Sequence, residues 1–179
     1  MRQIKDYMEK MQNVKIIDNV LSKNVLEHAY VSIIDDNVWN LTMNKDANSF
    51  SLAGSILYDK QLNISRISNS TTISLLIYMS IKDKVNFLGQ DIQRIHLGAK
   101  APLQDDILHK DEMLNKCYTI LFYLNPTWKS EWGGETIVGD EVIEYKSNRA
   151  IIYDASTLHA GKAPKCPEFR TYINYVVKK

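Results

Sequence analysis

Cys117-Tyr118-Thr119-Ile120-Leu121-Phe122-Tyr123-Leu124 is an unbroken run of aromatic and aliphatic residues, and its reading as a β-strand decides the fold. The same texture recurs from Ile92 onward in short pieces separated by turn residues. These are Ile92 to Leu97, Ile107 to Asp111, Glu135 to Val138, Val142 to Tyr145, Ala150 to Tyr153, Thr157 to Ala160 and Thr171 to Val177. With the opening run they make about eight strands, the number a jelly roll needs.

Upstream the pattern changes period. Val14 to Ile17 reads as a short strand, and Ser22 stands where a helix N-cap would. Val25, Leu26, Ala29, Tyr30, Ile33 and Ile34 then recur at helical spacing until Asp35-Asp36-Asn37. Trp39 to Met43 reads as a strand and Asn44 to Ser51 as a polar loop, while Leu52 to Asn69 supports no assignment. A second helix is expected over Thr71 to Leu88, burying Ile73, Leu75, Leu76, Met79 and Val85 and ending at Gly89. The fold class is therefore mainly β with N-terminal helices, a sandwich or barrel with helices laid against it.

Composition narrows the function classes. The 179 residues suit one domain, and a formal net charge of +1 gives no global attraction to nucleic acid or to an anionic membrane. Cys117 and Cys166 are too few for a disulfide framework and imply a reducing compartment with structural thiols. The opening residues lack the apolar run of a secretory signal, and no stretch is long and apolar enough to span a bilayer, so a cytoplasmic protein is expected.

The chemistry-bearing residues lie between His109 and Arg170. In an extended strand His109 and Asp111 share a face while Lys110 points away. One imidazole and one carboxylate are two thirds of a facial triad, the ligand set of mononuclear Fe(II) oxygenases. Of the other histidines in the β region, His159 follows the apolar run Ala150 to Tyr153 and a turn, and is preferred to His96 as the third ligand. His28, beside the first helix's apolar stripe, is read as a boundary residue. Arg170 opens the last strand, and a guanidinium aimed into a barrel requires an anion, which a dicarboxylate cosubstrate supplies. Tyr123 can add a phenolic hydrogen bond to that carboxylate. Gly133 and Gly134 are expected to permit a bend or close packing between sheets. Trp128 and Trp132 are assigned to the mouth of the barrel or to loop packing, and Arg149 to the surface.

The ordered set His109-X-Asp111, Tyr118 to Trp128, Trp132-Gly133-Gly134-Glu135-Thr136, Leu158-His159-Ala160-Gly161 and Phe169-Arg170 resembles the 2-oxoglutarate/Fe(II)-dependent dioxygenases of the prolyl 4-hydroxylase type, in their compact bacterial and viral forms. The resemblance implies a double-stranded β-helix (cupin-like jelly roll) over 92–179, supported by a helix-rich region 1–91 within one domain. It implies His109, Asp111 and His159 as iron ligands, Arg170 as partner of the 2-oxoglutarate distal carboxylate, and Tyr123 as its helper. Fe(II), 2-oxoglutarate and O2 are the implied cofactors, with ascorbate a candidate reductant. The implied substrate is a prolyl residue of a protein or peptide, with a free amino acid or small metabolite as alternative. A catalytically silent binding module is the reading from another class. Two departures stand out. Gln93 to Gly98 lacks the tyrosine that many prolyl hydroxylases place before the iron motif, leaving one cosubstrate contact unassigned. Val176 stands where nucleic-acid demethylases carry a second arginine, so a nucleic-acid substrate is not expected.

Overall fold

The computed structural model describes residues 14–36, 39–44, 49–110 and 116–179. Residues 1–12 and the Asp111 end of the Ile107 to Asp111 strand lie wholly or partly outside them. The elements in chain order are β1 (Lys15–Ile17), α1 (Lys23–Asp36), β2 (Asn40–Asn44), β3 (Ser49–Asp59), β4 (Ile64–Ser65), α2 (Asn69–Lys82), β5 (Ile92–Lys100), β6 (Cys117–Tyr123), β7 (Thr136–Val138), β8 (Glu141–Ile143), β9 (Ala150–Asp154), β10 (His159–Gly161) and β11 (Arg170–Lys178). They form two antiparallel sheets. The long one runs β1-β9-β6-β11-β5-β3-β2, with β4 beside β3, and the short one runs β10-β7-β8.

Strand alternation sorts the side chains into two cores. Ile120 and Phe122 on β6, Ile95 and Leu97 on β5, and Ile173, Tyr175 and Val177 on β11 point to one face of the long sheet. There they pack against Leu26, Ala29 and Ile33 of α1 and Ile77, Tyr78 and Ile81 of α2. The intervening residues Leu121, Tyr123, Ile151 and Tyr153 point the other way, to Val138 and Ile143 of the short sheet. That second interior, between the sheets, holds the candidate site.

Three local expectations change. The second helix starts at an N-cap Ser68, whose hydroxyl accepts from the Thr71 N–H, and ends at Asp83, so Gly89 does not terminate it. Its buried face is rotated: Ser70, Ser74, Ile77, Tyr78 and Ile81 face inward, Ile73 is partly buried and Val85 buried as expected, while Leu75, Leu76 and Met79 are exposed. The small serines permit close approach, and polar bonds hold the rotation. Asp36 at the end of α1 accepts from the Ser70 N–H at 2.9 Å and hydroxyl at 2.8 Å, and the Tyr175 hydroxyl donates to the Ser74 carbonyl at 2.7 Å. Finally, the polar loop expected up to Ser51 is already strand from Ser49, and the unassigned stretch after it continues β3. That strand pairs with β5 through register shifts at Ala53/Ile56 and Ile56/Tyr58, which erase a clean period of two. The N-terminal region thus supplies β1 to β4 as well as both helices.

Candidate active site

Beyond β5 the chain turns and lies along β10. Asp106 N–H donates to the Gly161 carbonyl at 3.0 Å, and His109 and His159 exchange both backbone hydrogen bonds, at 3.0 and 2.9 Å. In place of the expected strand there is this single bridge, sufficient to align the two residues. Directly paired residues of an antiparallel ladder project to the same side. The two imidazole centroids accordingly lie 4.4 Å apart, with the Tyr153 ring 5.1 Å from His159.

Both rings are held by the same device. His109 Nδ1 is 3.0 Å from the Ile107 carbonyl, and His159 Nδ1 is 2.9 Å from the Thr157 carbonyl. A carbonyl oxygen can only accept, so each Nδ1 carries the proton and Nε2 is the lone-pair nitrogen of each neutral ring. This is the tautomer a metal-binding histidine needs, fixed by an outer hydrogen bond. Two neighbouring imidazoles of this tautomer are the donor type that suits an Fe(II) ion. Asp111 lies outside the described residues, and among those described no group of three histidine, cysteine or acidic side chains is placed to hold a metal. His96 sits apart, opposite Asn174 and Ile56 in the long sheet, and burial pulls its pKa down to about 4.

Arg170 is 1% exposed at the start of β11. Its Nε donates to the Gly134 carbonyl at 2.6 Å and an Nη to the Thr136 hydroxyl at 2.7 Å. Tyrosine rings surround it: the guanidinium carbon is 5.4 Å from the Tyr123 centroid and 5.1 Å from those of Tyr145 and Tyr172. No carboxylate among the described residues pairs with it. A guanidinium that deep without a counter-anion leaves room for one to bind. Tyr123, fully buried, stacks on Tyr145 at 4.3 Å and shares the Thr136 hydroxyl with Arg170 at 2.7 Å. Burial raises the pKa of Tyr123 and pushes that of Tyr172 up to about 12, so both hydroxyls stay protonated.

The glycines serve both the bend and close packing. Gly133 and Gly134 have φ of 66° and 81°, in the left-handed region. A Cβ on Gly134 would lie 3.1 Å from Arg170 Cδ and 3.2 Å from the Trp128 ring. Trp128 itself donates to the Gly133 carbonyl at 3.0 Å and packs 4.5 Å from Tyr145, so its place is in loop packing behind the arginine. Thr136, Tyr145, Tyr172 and Lys100 also belong to this interior without having been singled out by the sequence. Only Tyr172 carried a signal: two positions after Arg170 on one strand, it shares its face. Arg149 is not a loose surface residue, since it donates to Asp18 at 2.7 and 3.1 Å and ties the chain after β1 to the sheet.

Two facing sheets, a histidine pair at one edge and an anion-seeking arginine between them define a metal-dependent oxygenase of the jelly-roll class. Residues 91–177 match the family model of the 2OG-Fe(II) oxygenase superfamily, and the chain carries a domain of that family, an enzyme domain that works with Fe(II), 2-oxoglutarate and O2. No curated protein matches the chain. Among solved structures it is similar to an oxidoreductase of the 2OG-Fe(II) oxygenase family from Burkholderia pseudomallei (TM-score 0.72, 13% identity, covering 98% of this chain and 90% of that one). It is similar, too, to the viral collagen prolyl hydroxylase vCPH of Paramecium bursaria Chlorella virus-1 in its 2-oxoglutarate complex (0.62, 16%, 93% and 96%). A third is SnoN, a non-heme α-ketoglutarate-dependent epimerase of nogalamycin biosynthesis (0.68, 12%, 99% and 81%). The fold is thus that of the prolyl 4-hydroxylase type. Among the described residues no helix is long and apolar enough to cross a membrane.

Proposed function

We propose that the chain is a single-domain hydroxylase that binds Fe(II) through His109, Asp111 and His159, receives the distal carboxylate of 2-oxoglutarate on Arg170, and hydroxylates a prolyl residue of a protein or peptide. The observation that carries this reading is the pair of imidazoles, centroids 4.4 Å apart, with both Nδ1 atoms pinned to backbone carbonyls. Asp111 enters through its spacing from His109 and the family resemblance. Bound Fe(II) supplies activation of O2 as 2-oxoglutarate is oxidised to succinate and CO2.

The remaining work falls to the chain's own groups. Arg170 binds the cosubstrate and fixes its direction, held by Gly134 and Thr136. Tyr123 keeps Thr136 oriented and covers one side of the guanidinium, so the anion meets a dry, prearranged donor set. Tyr153 flanks His159 and limits the movement of its ring. The prolyl assignment is supported by similarity to vCPH along nearly its whole length. SnoN shows that the same fold also hosts other chemistry, which is why the substrate needs its own test.

Anaerobic addition of Fe(II) and 2-oxoglutarate is expected to produce a weak visible charge-transfer band, absent in His109→Ala and His159→Ala. On aeration with proline-containing peptides, one oxygen should be added to proline, with succinate formed. Absence of both band and succinate refutes the enzyme; succinate and oxygen transfer to free amino acids but never to peptides refutes the prolyl-peptide assignment.

A further inference from the structure

Lys100, at the end of β5, is directly opposite Arg170 on β11, so the two side chains share the inner face of the sheet. It is as deeply buried as Arg170, at 1% exposure. Its ammonium bonds Asp106 at 2.5 Å, and Asp106 also accepts from the Gly161 N–H at 3.2 Å. Burial lowers the pKa of Lys100, opposed by the charge of Asp106.

The space these groups share is marked by Gly161, two residues after His159. A Cβ there would fall 2.8 Å from Lys100 Cε and 3.3 Å from both an Arg170 Nη and Asp106 Oδ2. The absence of a side chain at Gly161 lets both cations converge. Asp105 is within electrostatic range of Lys100 but is committed outward, to Lys162 at 3.0 Å and to the Ala163 N–H at 2.7 Å. Among the described residues the interior therefore holds two cations and one carboxylate, an excess of one positive charge. An ammonium on the adjacent strand adds a second charge-assisted donor to the guanidinium for the oxygens of one carboxylate.

Resting on the 2-oxoglutarate reading above, we propose that Lys100 is a second cosubstrate-binding residue, sharing the distal carboxylate with Arg170, and that Asp106 holds its ammonium in place while competing for it. Lys100 thereby takes the contact left vacant by the missing tyrosine of β5. Because Asp106 lies on the segment that carries His109, the pair also links the cosubstrate's far end to the metal edge.

The test compares 2-oxoglutarate with 2-oxopentanoate, which has the same carbon chain without the distal carboxylate. Binding to Fe(II)-loaded protein is followed by anaerobic calorimetry and by thermal stabilisation, without turnover. Lys100→Met is expected to weaken 2-oxoglutarate roughly 10- to 100-fold and to leave 2-oxopentanoate within about twofold. Asp106→Asn, which removes the competitor and keeps the ammonium, is expected to tighten 2-oxoglutarate alone, by about threefold or more. The double variant removes both members of the Lys100–Asp106 pair, so neither is left without the other, and it should retain the loss of selectivity even if Lys100→Met does not fold. If Lys100 were only a brace for Asp106, both single variants would weaken both acids alike, and that result overturns the proposal. Unchanged selectivity in Lys100→Met and in the double variant overturns it as well. A wild-type protein that binds neither acid overturns the cosubstrate reading itself, so the two failures are distinguishable.

Discussion

Gly134→Ala separates the backbone role of the glycine pair from its role beside Arg170. The substitution places an L-residue at φ 81°, a cost of about 1 kcal/mol. Gly139→Ala is the matched control, because its φ of 58° carries the same kind of strain while the nearest atom to its Cβ is Thr157 Cγ2 at 3.8 Å. Both variants should therefore lose about 2–4 °C of melting temperature, the shift that 1 kcal/mol gives in a chain of this size. Only at position 134 does the methyl also press on Arg170 Cδ, at 3.1 Å, with the Trp128 ring at 3.2 Å blocking the other way out. The arginine must give by a few tenths of an ångström, and its 2.6 Å bond to the Gly134 carbonyl must lengthen. Because a charge-assisted bond of this kind contributes about 1.5–3 kcal/mol, losing half of it weakens 2-oxoglutarate by roughly three- to tenfold. Titration of 2-oxoglutarate into the Fe(II)-loaded variants reads this directly. Equal affinities in Gly134→Ala and Gly139→Ala would refute the claim that Gly134 is shaped around the arginine.

Arg170→Met should abolish thermal stabilisation by 2-oxoglutarate while leaving the melting temperature of the ligand-free protein equal or higher, since an apolar side chain replaces a buried charge that lacks a carboxylate partner among the described residues; a large drop in melting temperature with retained affinity would contradict the role assigned. Tyr145→Phe removes a hydroxyl that lies 2.6 Å from Asn125 Oδ1 and 2.5 Å from the Thr171 carbonyl and accepts from the Asn125 N–H at 3.2 Å, so urea unfolding should show a loss of about 1–3 kcal/mol with an unchanged slope. Asp18 has its pKa lowered to about 2, from 3.8, chiefly by its bond to Arg149. A depressed carboxylate stabilises the fold above its unfolded pKa and loses that contribution as pH falls through the folded one. The gap in unfolding free energy between wild type and Asp18→Asn should therefore be present at pH 6, about 1 kcal/mol after solvent screening, and vanish as pH falls from about 4 to 2.

The strands from Cys117 to Val177 were legible in the sequence as short aromatic and β-branched runs separated by turn residues, and β6 and β9 are unbroken apolar runs because both of their faces are buried. β3 was not, because its register shifts break the period of two. α2 was recognised as a helix but with the wrong face, because hydropathy ranks Leu75 and Leu76 above Ser70 and Ser74, and only Asp36 and Tyr175, remote in sequence, reverse that order. Among the site residues, His109, His159, Arg170 and Tyr123 were legible as types chemistry requires in a fixed order. Thr136, Tyr145 and Lys100 were not. A buried lysine is indistinguishable in sequence from a solvated one, and only the pairing of β5 with β11 sets Lys100 opposite Arg170.

The histidine pair and the buried cations are one structure, joined by the segment from Asp105 to His109. This segment has too few backbone bonds to form a strand. It is fastened to β10 by side chains: Asp105 takes the Ala163 N–H and Lys162, while Asp106 takes the Gly161 N–H and Lys100. Those bonds set the height at which the His109 backbone meets that of His159, and hence the 4.4 Å between the rings. Residues that neither bind metal nor touch it thus determine the spacing of two of its proposed ligands. The same fastening pairs Asp106 with Lys100 and spends Asp105 on Lys162 and the Ala163 N–H, so the bonds that set the metal edge also fix how much positive charge the interior keeps for an anion.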